Sequence, residues 1–111
     1  MKPALRVLNI FENISENLSS ECIETLHSGR HARIERIISR GHRSSDDIWY
    51  DQETDEFVLL IAGEAKLKFE AGGRMVRMKA GDWLVIKAHE RHRVEWTSSE
   101  TDTVWLAVHI G

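Results

Sequence analysis

Residues Trp49 to Gly63 read WYDQETDEFVLLIAG, and this stretch decides the reading of the chain. A polar run from Asp51 to Glu56 leads without a break into the apolar run Phe57 to Ala62, which stops at Gly63. Apolar residues at both parities predict a strand covered on both faces, deep in a sandwich or barrel. Glu56 opens that strand. With a period of two, Glu56 shares a face with Val58, Leu60 and Ala62, while Phe57, Leu59 and Ile61 take the other. A carboxylate is thus carried to the edge of a covered surface, which is costly unless it is paired, hydrogen-bonded or metal-bound.

A second stretch answers the first. Gly81 to Trp96 reads GDWLVIKAHERHRVEW: a turn, an apolar strand, a polar loop and then alternation. The alternation puts His92, Val94 and Trp96 on one face and Arg93 and Glu95 on the other, so His92 is expected to point inward.

Together the two stretches resemble the paired motifs of the cupin family. The family's first motif carries a Glu, six residues and a Gly, as in Glu56-FVLLIA-Gly63. Its second motif runs from a Gly through a Pro position to a His, as in Gly81-DWLVI-Lys87-AHER-His92, with Lys87 in the Pro position and His89 in that of a later Gly. The likeness spans roughly residues 41 to 110. It implies a double-sheet jelly-roll barrel. The family's His-x-His ahead of the Glu is missing: its places fall on Trp49 and Asp51, or on Tyr50 and Gln52. Trp96 stands where an Asn often follows the second-motif His.

Outward from these motifs the chain punctuates itself as all-β. Ala4 to Phe11 alternates loosely and reads as a peripheral first strand, and Ser20 to His27 reads as a short helix. In that helix Cys22, Ile23 and Leu26 share a face, Ser20 caps and Gly29 stops. His31 to Ser39 alternates with Arg36 among Ala32, Ile34 and Ile38. On an edge strand Arg36 would snorkel outward; the other reading has it meeting an anion inside the barrel. Strands follow at 65–70, 74–79, 83–86, 92–96 and 103–110, with Ala71-Gly72-Gly73 as a hairpin turn. Short strands with turn signals every ~8–12 residues mark a sandwich or barrel. The expectation is one domain over 1–111: an N-terminal extension of strands and a short helix over 1–40, and a motif-bearing barrel over 41–111.

Composition bounds the function. At 111 residues the chain is long enough for one unstapled core. Its net charge of −3, with both signs interleaved, shows no footprint for nucleic acid. No apolar run approaches the ~20 residues that span a bilayer. The lone Cys22 cannot close an internal disulfide and reads as packing, which suits the cytoplasm. No phosphate loop, Ser/His/Asp order or Cys-x-x-Cys pair points to nucleophilic or nucleotide chemistry.

What remains is a site at the barrel mouth. The resemblance implies that Glu56 and His92 are metal ligands, with an oxygen from Asp51 or Gln52 as a thinned replacement for the missing histidines. Such donors suit Fe, Mn, Zn or Ni as divalent ions. The reading favoured over this one has Glu56 and His92 hydrogen-bond each other across the barrel mouth without metal. Tyr50 and Trp96 are candidates to line a small-ligand pocket. His42 and His89 lie in loops that flank the mouth, and His109 shares a face with Trp105 and Ala107, where it would replace a motif histidine if it lies beside His92. The acidic residues Asp46, Asp47, Asp51, Glu53, Asp55 and Glu56 would favour neutral or cationic ligands at the mouth. Two functions follow: a metal-assisted oxygenase, isomerase or lyase on a small organic molecule, or a metal-free, non-catalytic small-ligand barrel. A homodimer is expected through an added edge or N-terminal strand.

Overall fold

The computed structural model describes residues 5–111. Eight strands follow in order: β1 (Cys22–Ser28), β2 (Ala32–Ser39), β3 (Asp55–Ala62), β4 (Glu64–Phe69), β5 (Met75–Lys79), β6 (Trp83–Ile86), β7 (His92–Thr97) and β8 (Thr103–Ile110). A single 3-10 turn, Ala71–Gly73, joins β4 to β5. All ladders are antiparallel. The five-stranded sheet has the order β1-β2-β8-β3-β6, and the three-stranded sheet the order β5-β4-β7.

The jelly-roll expectation therefore stands as two facing sheets, and the closed barrel does not. Among the described residues no ladder joins the sheets at either edge; they are linked by chain crossings such as Gly63, which lies between β3 and β4. Gly63 has φ +87°, and a Cβ there would come within 2.7 Å of Thr103 Cα and against Thr103 Oγ1. Only a glycine makes this crossing without strain.

The core forms where the inner faces meet. Val58, Leu60, Ile86 and Trp105 from the larger sheet pack on Ala65, Leu67, Phe69 and Met78 from the smaller one. Each fully buried apolar side chain of this kind stabilises the fold by roughly 1.5–3 kcal/mol relative to exposure. The same inner rows continue past the core into polar residues: Glu35 on β2, Glu56 on β3, His109 on β8 and His92 on β7. That continuation builds the site.

Three bulges interrupt the period-two pattern. On β1 the register moves from Thr25↔Glu35 to His27↔Ile34, leaving Leu26 unpaired. Ile61 is extra on β3 and Glu95 on β7. The first explains why the predicted helix over 20–27 is a strand: the bulge at Leu26 breaks the alternation, and Cys22, Ile23 and Leu26 then imitate a helical face. The predicted first strand is also absent over residues 5–11, where Leu5 and Val7 are solvent-exposed and unpaired (Ala4 lies outside the described residues).

Arg36 neither snorkels nor faces an interior anion. Its side chain is buried on the outer side of β2, paired with Glu24. It also donates to the carbonyls of Ile10 at 2.9 Å and Glu12 at 2.5 Å. Arg40 binds the carbonyl of Glu16 at 2.7 Å and the Asp102 carboxylate at 2.6 Å. Two arginines thus pin the chain ahead of β1 to the larger sheet. Among the described residues no helix is long and apolar enough to cross a membrane.

Candidate functional site

Between the sheets lies a cavity of about 110 Å³. Its apolar wall is Ile23, Ile37, Val58, Leu67, Ile86, Val94 and Trp105, and its polar groups are Glu21, Glu35, Gln52, Glu56, His92 and His109, with Tyr50 at the rim. Each strand delivers its residue by parity. Glu56 and His109 are directly paired on β3 and β8. His92 faces them from the opposite sheet, where it opens β7.

The loop ahead of β3 fixes the His92 end. Tyr50 N–H donates to the His92 carbonyl at 2.7 Å, and His92 N–H donates back to Tyr50 at 3.1 Å. This two-residue bridge covers the free edge of β7 and carries Tyr50 and Gln52 to the cavity. The rings of Tyr50 and Phe69 stand 5.8 and 6.0 Å from the imidazole.

The protonation pattern follows from the partners. His92 Nδ1 lies 2.9 Å from the Glu90 carbonyl, which can only accept, so Nδ1 carries the proton and neutral His92 offers the lone pair of Nε2. That Nε2 is 3.7 Å from Glu56 Oε1. On the other side, His109 Nε2 is 2.9 Å from Glu35 Oε1 and 3.9 Å from Glu56 Oε2. Glu35 also accepts from Arg33 Nε at 3.1 Å. Glu56 is therefore only 6% exposed, and both imidazoles stand beyond hydrogen-bond distance from it. Burial pushes its carboxyl above the ordinary range, against the pull of His109 and His92.

At the other end, Trp105 Nε1–H donates to Ser39 Oγ at 3.3 Å, and Ser39 donates to Glu21 Oε2 at 2.7 Å. Sequence reasoning missed Glu21, Glu35 and the role of His109 as a neighbour of Glu56. Pairing of β2 with β8 brings Glu35 in, and no local pattern announces a contact 74 residues distant.

The expected site residues divide. Glu56, His92, Gln52 and Tyr50 all line the cavity. Asp51 points away, its carboxylate 2.8 Å from Nδ1 of the exposed His89. Trp96 is not in the cavity either: the extra residue Glu95 reverses parity, so Thr97 is buried while Trp96 faces out beneath Lys66 Nζ, 5.6 Å from the ring. His42 accepts from Arg40 N–H at 3.0 Å in its own loop. The acidic mouth is dispersed as well, since Asp46 pairs with Arg43 and Asp55 with Lys87.

The donor chemistry at Glu56 suits a divalent transition metal. Ligand bonds of ~2.0–2.2 Å place two donors on one ion roughly 3–4 Å apart; His92 Nε2 and Glu56 Oε1 are separated by 3.7 Å. Gln52 Oε1 lines the same cavity, buried and without a hydrogen-bond partner. Among the described residues no three His, Cys, Asp or Glu side chains are already gathered as a metal cluster.

A family model for the cupin domain matches residues 37–109. The chain belongs to the cupin family. Among solved structures, this cupin is similar to a protein from Ralstonia eutropha JMP134 described as a "putative mannose-6-phosphate isomerase". The two are 39% identical, with a TM-score of 0.90 over 96% of this chain and 98% of that one. A cupin superfamily protein from Desulfitobacterium hafniense DCB-2 shares the fold at 18% identity and TM-score 0.76, covering 97% of this chain and 93% of that one. So does a Klebsiella pneumoniae protein with a double-stranded β-helix domain, at 15% and 0.78, covering 96% and 90%. No curated protein matches the sequence.

Proposed function

We propose that this cupin is a small-molecule enzyme of the isomerase or lyase class, with its chemistry at Glu56, His92 and His109. One observation carries the reading: a carboxylate buried between two imidazoles, within hydrogen-bond distance of neither, beside a cavity that opens between the sheets. Such a group is expensive to keep unless it works. Its raised pKa suits a base that removes a proton from a carbon next to a carbonyl. Returning that proton to the neighbouring carbon is an isomerisation; expelling a β-substituent instead is a lyase reaction. The relative described as a "putative mannose-6-phosphate isomerase" supports the first of these.

His92, Glu56 and Gln52 are the residues that would hold an Fe, Mn, Zn or Ni ion. When bound, such an ion supplies Lewis-acid polarisation of a substrate oxygen. With such an ion in place Glu56 and His92 would serve as its ligands, and His109, held by Glu35 at 2.9 Å, would be the group left to move the proton.

The test is exchange of substrate carbon-bound hydrogen with D2O, followed by NMR over three- to six-carbon sugars, with and without added Zn or Mn. Exchange should occur with at least one sugar and fall about 100-fold or more in Glu56→Gln. No exchange with any of them, with or without metal, would remove the enzyme reading.

The seven apolar side chains of the wall favour a second reading, a metal-free cupin that binds a small ligand without chemistry. It predicts that ligand affinity survives in the double variant Glu56→Ala, His92→Ala.

A further inference from the structure

Strands β3 and β8 are apolar at both parities, yet only their inner faces meet the smaller sheet. On the outer face the ladders line up two apolar rows across the larger sheet. Ile34, Val108, Phe57 and Val85 stand opposite one another in turn from β2 to β6. Beside them run Leu106, Leu59 and Trp83, in a row that begins with Arg36. The rings of Phe57 and Trp83 lie 5.4 Å apart. Trp83 is 62% exposed, Val85 is exposed too, and the other five are half-buried. Charge stands at the rim, where Asp55 pairs with Lys87 and Arg36 with Glu24. The solvent face of an antiparallel sheet ordinarily alternates to polar residues, so this face is one built to be covered.

A second apolar element lacks a partner among the described residues. Residues 5–9 lead up to the Ile10 carbonyl, which Arg36 holds at 2.9 Å from the outer side of β2. The segment therefore leaves the sheet on the same side as the two rows. Along it Leu5 and Val7 are fully exposed, and Leu8 largely so.

We propose that the outer face of the larger sheet packs on the same face of a second copy of this chain about a two-fold axis, with residues 5–8 of each copy reaching across to the partner's sheet. The patch itself selects a second copy. A two-fold axis through it sets apolar side chains against apolar side chains with no complementary surface needed elsewhere. Two such sheets face to face, ~10 Å apart, repeat the packing already present inside the chain. Area brings in the leading segment. Four strands ~4.8 Å apart, with three outward positions ~6.7 Å apart, cover roughly 300–400 Å² per copy. Doubled, that is roughly 700 Å², below the ~1,000 Å² that a specific interface needs. Leu5, Val7 and Leu8 each bring roughly 60–120 Å² of apolar surface. With both segments added the total reaches roughly 1,200 Å², the lower bound for a stable pair. The cavity opens elsewhere, at the β1 edge between the exposed Ile23 and Tyr50, while the patch extends to β6 at the opposite edge. Pairing therefore leaves both sites accessible and does not rest on their chemistry.

The test is sedimentation equilibrium of the full chain from ~1 to ~100 µM, the window in which micromolar pairing is resolved. The wild type should reach twice the mass of one chain. Trp83→Glu with Val85→Glu puts two carboxylates on the face of each copy and should give the single-chain mass throughout, with an unchanged circular dichroism spectrum. Leu5→Ser with Val7→Ser, which removes no packed side chain and so leaves folding intact, should weaken pairing about tenfold or more. A dimer that survives the two glutamates overturns the inference and moves the contact to the free edge of β1. A dimer indifferent to the two serines overturns it as well. So does a single-chain mass at every concentration: with residues 5–8 protected from hydrogen exchange the segment covers its own sheet, and without that protection the face is left to a different partner.

Discussion

His109 stands 2.9 Å from Glu35 and 3.9 Å from Glu56, so one imidazole on β8 is shared unequally between carboxylates on the strands to either side of it. The closer contact is the satisfied one. Glu35 gains a donor from His109 and a second from Arg33, whereas Glu56 gains only a nearby dipole or charge.

Removing that imidazole should therefore be felt first at Glu35. His109→Ala should lower the unfolding free energy by about 1–3 kcal/mol, the scale for stranding a buried hydrogen-bond partner. Urea denaturation at neutral pH measures it. A change below a few tenths of a kcal/mol would mean that Arg33 alone suffices for Glu35.

The pH dependence of stability should carry the mark of Glu56. Burial raises its folded pKa above the ordinary value of 4.5, so the folded chain keeps the proton where the unfolded chain has lost it. The contribution is present in full below the unfolded value and is lost as pH rises through the folded one. Glu56→Gln fixes the neutral form. In chelator it should match the wild type near pH 4 and be the more stable of the two near pH 8. A gap that widened towards acid would reverse the sign and with it the assignment of desolvation as the leading cause.

The parts of the molecule that were legible in the sequence are those where the period of two runs unbroken. Glu56, Val58 and Leu60 face inward as the pattern of β3 demands, and His92 and Val94 do so on β7. The failures sit at bulges. Leu26 disguises β1 as a helix, and Glu95 sends Trp96 to the surface after a stretch that had alternated correctly. A bulge adds one residue and reverses every parity beyond it, and neither Leu26 nor Glu95 has a composition that announces this. Glu21 and Glu35 were illegible for another reason: their place in the cavity depends on how β1 pairs with β2 and β2 with β8, which is set by the whole sheet.

Arg36 offers a test of how the leading segment is held. Its guanidinium joins Glu24 to the carbonyls of Ile10 and Glu12 from a buried position. Arg36→Ala strands Glu24 and both carbonyls, though each can recover water, so the expected cost is about 1–3 kcal/mol. Limited proteolysis should show faster cutting within residues 10–16, with β2 and β8 still protected. Arg36→Lys, which keeps the charge but loses the planar fork, should fall between the two. Cutting rates equal to the wild type would show that the segment is held by something other than this arginine.

Gly63 sets the geometry on which the cavity depends, because the chain passes there from the sheet that carries Glu56 to the sheet whose edge carries His92. Two penalties act at once in Gly63→Ala. The φ of +87° is one that residues with a Cβ rarely adopt, and the added carbon would lie 2.7 Å from Thr103 Cα and 2.8 Å from the Asp102 carbonyl oxygen. Those neighbours are backbone of β8 and the loop before it, and they cannot swing aside as a flexible side chain would. Strain in the backbone alone costs about 1–3 kcal/mol, and relieving the overlap requires the two sheets to shift against each other. Gly63→Ala should therefore lose at least about 2 kcal/mol in urea denaturation. It should also weaken ligand binding in whatever fraction remains folded, since the separation of Glu56 from His92 is set across this crossing. A variant with wild-type stability and affinity would show that the sheets tolerate the shift and that the cavity does not depend on their spacing.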